Sequence, residues 1–248
     1  MSEITLTLIC CYNDLDQFNN FVASLKNQTC TYNLIAVDNI GNKNFNSCAA
    51  AYNSVIDQVS TEFVIFSHQD ILLNENDALE KFLKYLEQIN INDMLGVAGV
   101  KFDTPGLFAN LNNAGDFKFK NLMQVDVFDE CFFGGYSEHF KINKFDEILC
   151  DNWHLYAVDM CLKNLIAHNK NYICDINIKH LSPGKLNFAF RKGFYKLLRH
   201  YKNNFKFIRT CCDHCKTEFI PALYHLINPY RFVDLLHILK VKILRRRN

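Results

Sequence analysis

Two side chains one residue apart, at the end of an apolar run, offer the sharpest chemistry in this chain. Residues 63–66 read Phe-Val-Ile-Phe and lead through Ser67 into His68, Gln69 and Asp70. If the run is a strand, alternation points His68 and Asp70 the same way. A carboxylate fixed there can hold Mg²⁺ or Mn²⁺, and such an ion neutralises a diphosphate leaving group. The plainer role for a lone aspartate is to cap a turn or helix. Asp129 and Glu130 are adjacent acids within the apolar run 125–133. Buried carboxylates are costly, so a pair of them in such a run points to a site. Cys211, Cys212, His214 and Cys215 carry zinc-type side chains. A structural zinc site takes four ligands, usually as two pairs, and Cys150, Cys174 and His225 are distant partners that no spacing selects.

Alternating strand-like and helix-like pieces must position these groups. The run 4–11 is strand-like and ends in Tyr12, Asn13 and Asp14, a turn and helix-cap signal. Phe18, Phe21, Val22 and Leu25 recur at helical spacing, and 33–37 reads as a second strand stopped by Asp38 and Asn39. A helix fits 48–59, a third strand 62–66, a helix 77–89 with Leu79, Phe82, Leu83 and Leu86 on one face, and a fourth strand 95–100. This order predicts an α/β fold with a mainly parallel sheet covered on both faces. Ligands then sit beyond the carboxyl ends of the strands, where Asn13, Asp38 and Asp70 fall. The second half is less regular: a loop-like stretch 104–121, a helix within 153–167, and a strand 172–178 that ends at Lys179 and His180.

Composition bounds the reading. The 248 residues are 49% hydrophobic, enough for one substantial core. With 27 basic and 26 acidic residues, the balance argues against nucleic acid as the main partner. Met1, Ser2 and Glu3 run straight into the first strand without a signal-peptide pattern, and Cys10, Cys11, Cys131 and Cys161 sit in apolar runs. The expectation is a reduced, cytoplasmic protein with no membrane-spanning helix.

The residues also carry a family resemblance over about 4–215. Residues 5–13, ending in Cys11, Tyr12 and Asn13, resemble the opening strand of a family 2 glycosyltransferase and its Tyr-Asn turn. Ser24, Leu25 and Gln28 resemble the first-helix pattern, residues 34–39 the strand whose aspartate meets the donor nucleotide, and residues 49–53 the helix before the metal strand. His68, Gln69 and Asp70 occupy the place of the DXD motif, with His for the first Asp. The resemblance implies a GT-A (Rossmann-like) domain over 1–185, with a nucleotide-sugar half at 1–101 and an acceptor half at 102–185, followed by a basic, aromatic, helical extension over 186–248. It implies that Tyr12, Asn13, Asp38, Asn53 and His68 seat the donor, and that Asp70 and His180 hold Mn²⁺ or Mg²⁺.

An inverting transfer needs a base for the acceptor hydroxyl. Residues 153–162 resemble the acidic helix-head motif in which relatives place that base, but position 157 is Ala. Asp159 lies two residues further on, about 200° around a helix. Asp159 and Asp129 rank level as the base, with Glu130 and Asp151 behind. The implied activity is inverting glycosyl transfer from a nucleotide-diphosphate sugar to a glycan or lipid-linked saccharide, in bacterial surface polysaccharide or lipooligosaccharide synthesis. Two helical-period segments follow, Phe194, Leu197, Leu198 and Tyr201 among Arg191, Lys192, Lys196 and Arg199, and Phe232, Leu235, Leu236 and Leu239 before the basic stretch 240–248. Both suit peripheral contact with an anionic membrane, and a homodimer is compatible with the exposed aromatics. A nucleotidyltransferase would carry a Gly-rich, basic loop after the first strand, which Cys10 to Asp14 lacks. The other reading is a catalytically silent relative that binds nucleotide or glycan, or supports a partner enzyme.

Overall fold

The computed structural model describes residues 5–111, 115–182 and 187–227. The predicted amphipathic segment from Phe232 and the basic stretch 240–248 lie outside the described residues. Strand β1 (Leu6–Tyr12) leads into helix α1 (Leu15–Leu25), then β2 (Asn33–Asp38), α2 (Cys48–Asn53), β3 (Phe63–His68), β4 (Ile71–Leu73) and α3 (Ala78–Leu86). Strands β5 (Met94–Gly96), β6 (Ala98–Val100), β7 (Phe108–Ala109), β8 (Leu122–Val125), β9 (Val127–Phe128) and β10 (Phe132–Tyr136) follow, then α4 (Ser137–Ile142), α5 (Tyr156–Ile166), β11 (Asn171–Cys174) and β12 (Ile178–His180). Helix α6 (Phe188–His200), a hairpin of β13 (Phe207–Arg209) and β14 (His214–Lys216), and α7 (Phe219–Ile227) complete the described chain.

The central sheet has seven strands in the order β2-β1-β3-β10-β5-β11-β8. Strand β1 pairs in parallel with β2 and β3, and β11 in parallel with β5. Strands β10 and β8 run against their neighbours. Five strands therefore share one direction, so the α/β, mainly parallel expectation holds. Insertion of β10 between β3 and β5 depends on Gly134, where a Cβ would lie 2.1 Å from the Val64 carbonyl oxygen.

Period-two alternation fills both faces of the sheet. On β3, Phe63 and Ile65 join one core with Phe21 and Leu25 of α1 and Leu79, Phe82 and Leu86 of α3. Val64 and Phe66 join the other, with Tyr52 of α2, Tyr156 and Leu162 of α5, and Phe194 and Leu197 of α6. Each fully buried Leu or Phe contributes about 1.5–3 kcal/mol of transfer free energy, so helices with weak intrinsic stability are held by these faces. The N-terminal turn is as its sequence predicts: Asp14 caps α1 and accepts from the Gln17 backbone N–H at 3.0 Å.

Several predicted elements divide. The fourth strand splits at Val97 into β5, in the main sheet, and β6, in a three-stranded sheet ordered β7-β6-β9. The run 125–133 is three short pieces rather than one strand, so its acids stand at breaks. Asp126 accepts from the Phe102 backbone N–H at 2.6 Å, and Asp129 from that of Cys131 at 3.0 Å. The predicted strand 172–178 also breaks, because Asp175 turns to accept from Asn110 at 2.6 Å. Strand β12 then leaves the sheet and pairs antiparallel with β4, setting His180 opposite Ile71.

The apolar face of α6 corrects the membrane expectation for that helix. Phe190, Phe194, Leu197, Leu198 and the following Tyr201 are buried in the protein's own core, so they are not available to a bilayer. The extension, expected to be helical, also contains the β13–β14 hairpin. No helix among the described residues is long and apolar enough to cross a membrane.

Candidate active site

A cleft opens beyond the carboxyl ends of β1, β2 and β3. Its lining includes Tyr12 and Asn13 at the end of β1, Asn39 after β2, His68, Gln69 and Asp70 at the end of β3, and Trp153 and Tyr156 at the approach to and head of α5. Gln69 stitches the first two loops together: its Oε1 accepts from the backbone N–H groups of Asn13 and Asp14 at 2.8 and 3.0 Å. Its Nε2 donates to the Asn13 side chain at 2.8 Å.

His68 and Asp70 line the cleft, His180 stands beside them, and the three present ligand-capable atoms all within 4.8 Å of one another. The β4–β12 ladder creates this convergence, reinforced by the Leu181 N–H donating to the Asp70 carbonyl at 3.0 Å. Asp70 lies between the two imidazoles, with Oδ2 at 3.3 Å from His180 Nε2 and Oδ1 at 3.9 Å from His68 Nδ1. One carboxylate and two imidazoles, partly buried yet open to the cleft, form a donor set that Mn²⁺ accepts readily and Mg²⁺ less so. His68 Nε2 is 2.9 Å from the Tyr156 hydroxyl, which itself donates to the Glu130 carbonyl at 3.4 Å. With a metal on Nδ1, Nε2 would carry the proton and donate it to this hydroxyl. Such outer hydrogen bonds fix the tautomer of a metal-binding histidine.

Burial lowers the His68 pKa, against the favourable charges of Asp70 and Asp129. Burial also opposes charge on His180, but its hydrogen bond to Asp70 and the Asp70 and Asp129 charges together raise it. Burial alone would raise Asp70, yet the His180 hydrogen bond and the two imidazoles hold it below the usual carboxylate range. Without metal, the raised His180 contributes stability fully below its unfolded value of about 6.5 and loses it as pH rises through the folded value. The lowered Asp70 contributes above its unfolded value of about 3.9 and loses it as pH falls through the folded value. Metal ligation needs neutral imidazoles and so improves as pH rises. In scanning calorimetry with EDTA, the melting advantage of wild type over His180→Gln should shrink from pH 6 to pH 9. An advantage that grows with pH would contradict the assignment.

The other predicted residues divide sharply. Asp38 is exposed at the end of β2, in register with Tyr12, and accepts from the Ile40 N–H at 2.7 Å; the cleft wall there is Asn39. Asn53 does not face the cleft: its side chain donates to the Phe145 carbonyl and Glu147 and accepts from the Phe145 N–H at 3.0 Å, which locks α2 to the segment after α4. Asp159 is fully buried away from the cleft lining, accepting from the Tyr201 hydroxyl at 2.5 Å and pairing with Lys163 at 2.7 Å. Its helical offset from position 157 turns it into the core, where it ties α5 to the end of α6. Asp159→Ala should cost about 3 kcal/mol in urea unfolding, since it strands a buried hydroxyl and a cation, while catalysis per folded molecule persists. Asp151 pairs with Lys196 at the surface.

Glu130 reaches the head of α5, where Oε1 accepts from the Leu155 N–H at 3.1 Å. Leu155 has φ 72° and no side chain of its own to cap the helix, so a carboxyl from a distant segment does so. Burial, then the neighbouring Asp129, pushes Glu130 up to about 8. Asp129 is close enough to act electrostatically on both His68 and His180. Among the described residues the cysteine cluster does not converge as a metal site: Cys211 Sγ reaches the Ala98 carbonyl and Cys215 Sγ that of Pro221. Gln69, Tyr52 and Cys48 in the cleft had no sequence signal beyond lying beside the motif residues.

A cleft beyond the carboxyl ends of a mainly parallel sheet is the arrangement of the nucleotide-binding α/β proteins. The chain belongs to the Glycosyltransferase like family, whose model matches residues 7–178. No curated protein matches its sequence. Among solved structures it resembles the mannosyltransferase PcManGT from Pyrobaculum calidifontis in complex with GDP-Man and Mn²⁺, at 13% identity and TM-score 0.56, covering 82% of this chain and 64% of that one. It also resembles S. aureus TarS, at 14% identity and TM-score 0.53, covering 81% and 39% respectively. TarS 1-349 in complex with UDP-GlcNAc gives 14% identity and TM-score 0.52, covering 81% and 66%. The chain thus spans less than two thirds of PcManGT and of TarS, and these likenesses establish the GT-A fold.

Proposed function

We propose that the chain is an inverting glycosyltransferase that moves a sugar from a nucleotide-diphosphate donor to a hydroxyl of a glycan or lipid-linked saccharide, in bacterial surface polysaccharide or lipooligosaccharide synthesis. The convergence of His180 with His68 and Asp70, which line the cleft, carries this reading. These three side chains would hold Mn²⁺ or Mg²⁺, which supplies charge neutralisation at the departing diphosphate. Tyr12, Asn13 and Asn39 would bound the nucleoside side, with Asp38 at the rim, and Gln69 keeps their loops in register. Trp153 would close the opposite wall.

Asp129 is the base in this scheme. Asp159 is committed within the core, and a carboxyl with a pKa of about 8 is largely protonated at neutral pH, which leaves Glu130 a helix-head and positioning role. Asp129 would take the proton from the acceptor hydroxyl as it attacks the anomeric carbon, with the diphosphate leaving from the opposite face. The α6 packing leaves peripheral membrane contact to residues beyond that helix.

The test is nucleoside-diphosphate release from UDP-, GDP-, CDP- and dTDP-sugars with Mn²⁺, without added acceptor. Slow release from one donor class, abolished by EDTA, is expected. No release from any donor, with folded protein, would favour the silent-relative reading.

A further inference from the structure

A second cavity lies against the C-terminal hairpin. The turn between β13 and β14 is rigid. Thr210 donates its N–H to the Asp213 carbonyl at 2.7 Å, and its hydroxyl oxygen accepts from the N–H groups of Cys212 and Asp213 at 3.2 and 2.9 Å. Cys211 Sγ reaches the Ala98 carbonyl, which also accepts from the Asp129 N–H at 2.7 Å. The hairpin tip is therefore anchored on the same carbonyl as the proposed base.

Between this tip and the loop after β6 is a pocket whose lining includes Arg209, Thr210, Cys212, Asp213, His214 and Asp116. Arg209 lies over the Phe207 ring at 5.5 Å, and its buried Nε has no hydrogen-bond partner among the described residues. The lining carries cation and carboxylates together. An anion would meet Asp116 and Asp213, whereas the hydroxyls of a neutral sugar both accept from guanidinium and donate to carboxylate. The hairpin side of this pocket lies outside residues 7–178, whereas Asp116 and the loop after β6 lie within them.

We propose that this pocket binds one neutral sugar residue of the acceptor glycan, held by Arg209 and the Thr210–Asp213 turn beside Asp129. The assignment rests on the glycosyl-transfer reading, in which Asp129 must meet an acceptor hydroxyl.

The test is ¹⁵N NMR titration of the full chain with glucose, galactose, mannose, N-acetylglucosamine and lactose, each to tens of millimolar, with inorganic phosphate as a control. In parallel, Trp153 fluorescence follows UDP, GDP, CDP and dTDP with Mg²⁺. At least one sugar should shift the Arg209 Nε–H and the amides of residues 210–213 saturably. Arg209→Ala should weaken this at least tenfold without changing nucleotide binding. Arg209→Lys, which keeps the charge but removes Nε–H, should weaken it likewise. Nucleotide binding with no sugar shift overturns the subsite and leaves the transferase reading standing. A response to phosphate alone, or sugar shifts that leave Arg209 unmoved, also overturns it. Sugar binding without any nucleotide binding keeps the subsite and removes the donor reading; loss of both removes the two together.

Discussion

Replacing Asp70 with alanine is expected to lower turnover by about 10³-fold and to abolish metal-dependent donor binding. The magnitude follows from the role assigned to the carboxylate: charge stabilisation at a departing diphosphate is worth several kcal/mol, and about 4 kcal/mol corresponds to three orders of magnitude. Asp70 is also the centre of the cluster, with an imidazole on either side, so its removal leaves two neutral or mutually repelling ligands. Asp70→Asn separates these contributions, because it keeps the shape and removes the charge. Steady-state release of nucleoside diphosphate measures both variants. A loss below tenfold in Asp70→Asn would mean that charge at this position is not what the reaction uses. His180→Ala should be milder, since Asp70 and His68 remain.

The second large effect is expected from Asp129→Asn. Removing a general base typically costs 10²–10⁴, and the loss should fall on the rate of transfer while nucleotide binding with Mn²⁺ stays within about twofold. The informative comparison is Asp159→Asn, the other acid that the sequence ranks level with it. Its carboxylate is enclosed by Tyr201 and Lys163, so the expected phenotype is lower stability with transfer intact. Single-turnover transfer measurements distinguish the two. Full transfer by Asp129→Asn, together with collapse in a well-folded Asp159→Asn, would reverse the assignment.

The contrast between these two acids shows where sequence reasoning stopped. Residues 5–13, 33–38 and 63–70 are local patterns: an apolar run followed by polar residues predicts a strand and a site at its end, whatever the rest of the chain does. Those elements formed as expected, down to the Asp14 cap. His180 was readable as a strand-end histidine, but its meeting with Asp70 depends on β12 leaving the main sheet to pair with β4, and no local pattern encodes that partner. Asp129 and Glu130 look alike in sequence; one neighbours the histidine pair and the other caps a helix whose own N-terminal residue, Leu155, has no capping group. The apolar stripe on α6 was visible as well. Whether it meets lipid or the protein core is a tertiary matter that periodicity leaves open, and here the core takes it. Asn53 failed for the same reason, since its partners at Phe145 and Glu147 are some ninety residues away.

The claim on which the functional reading depends is that His68, Asp70 and His180 act together as a metal-dependent diphosphate site. Calorimetric titration of UDP, GDP, CDP and dTDP, each with Mn²⁺ and with EDTA, into wild type and Asp70→Ala tests it most directly. One diphosphate should bind wild type in the low- to mid-micromolar range, about 6–8 kcal/mol, and lose at least tenfold in affinity both with EDTA and in the variant. Binding of equal strength with EDTA, or retained in Asp70→Ala, would contradict the account.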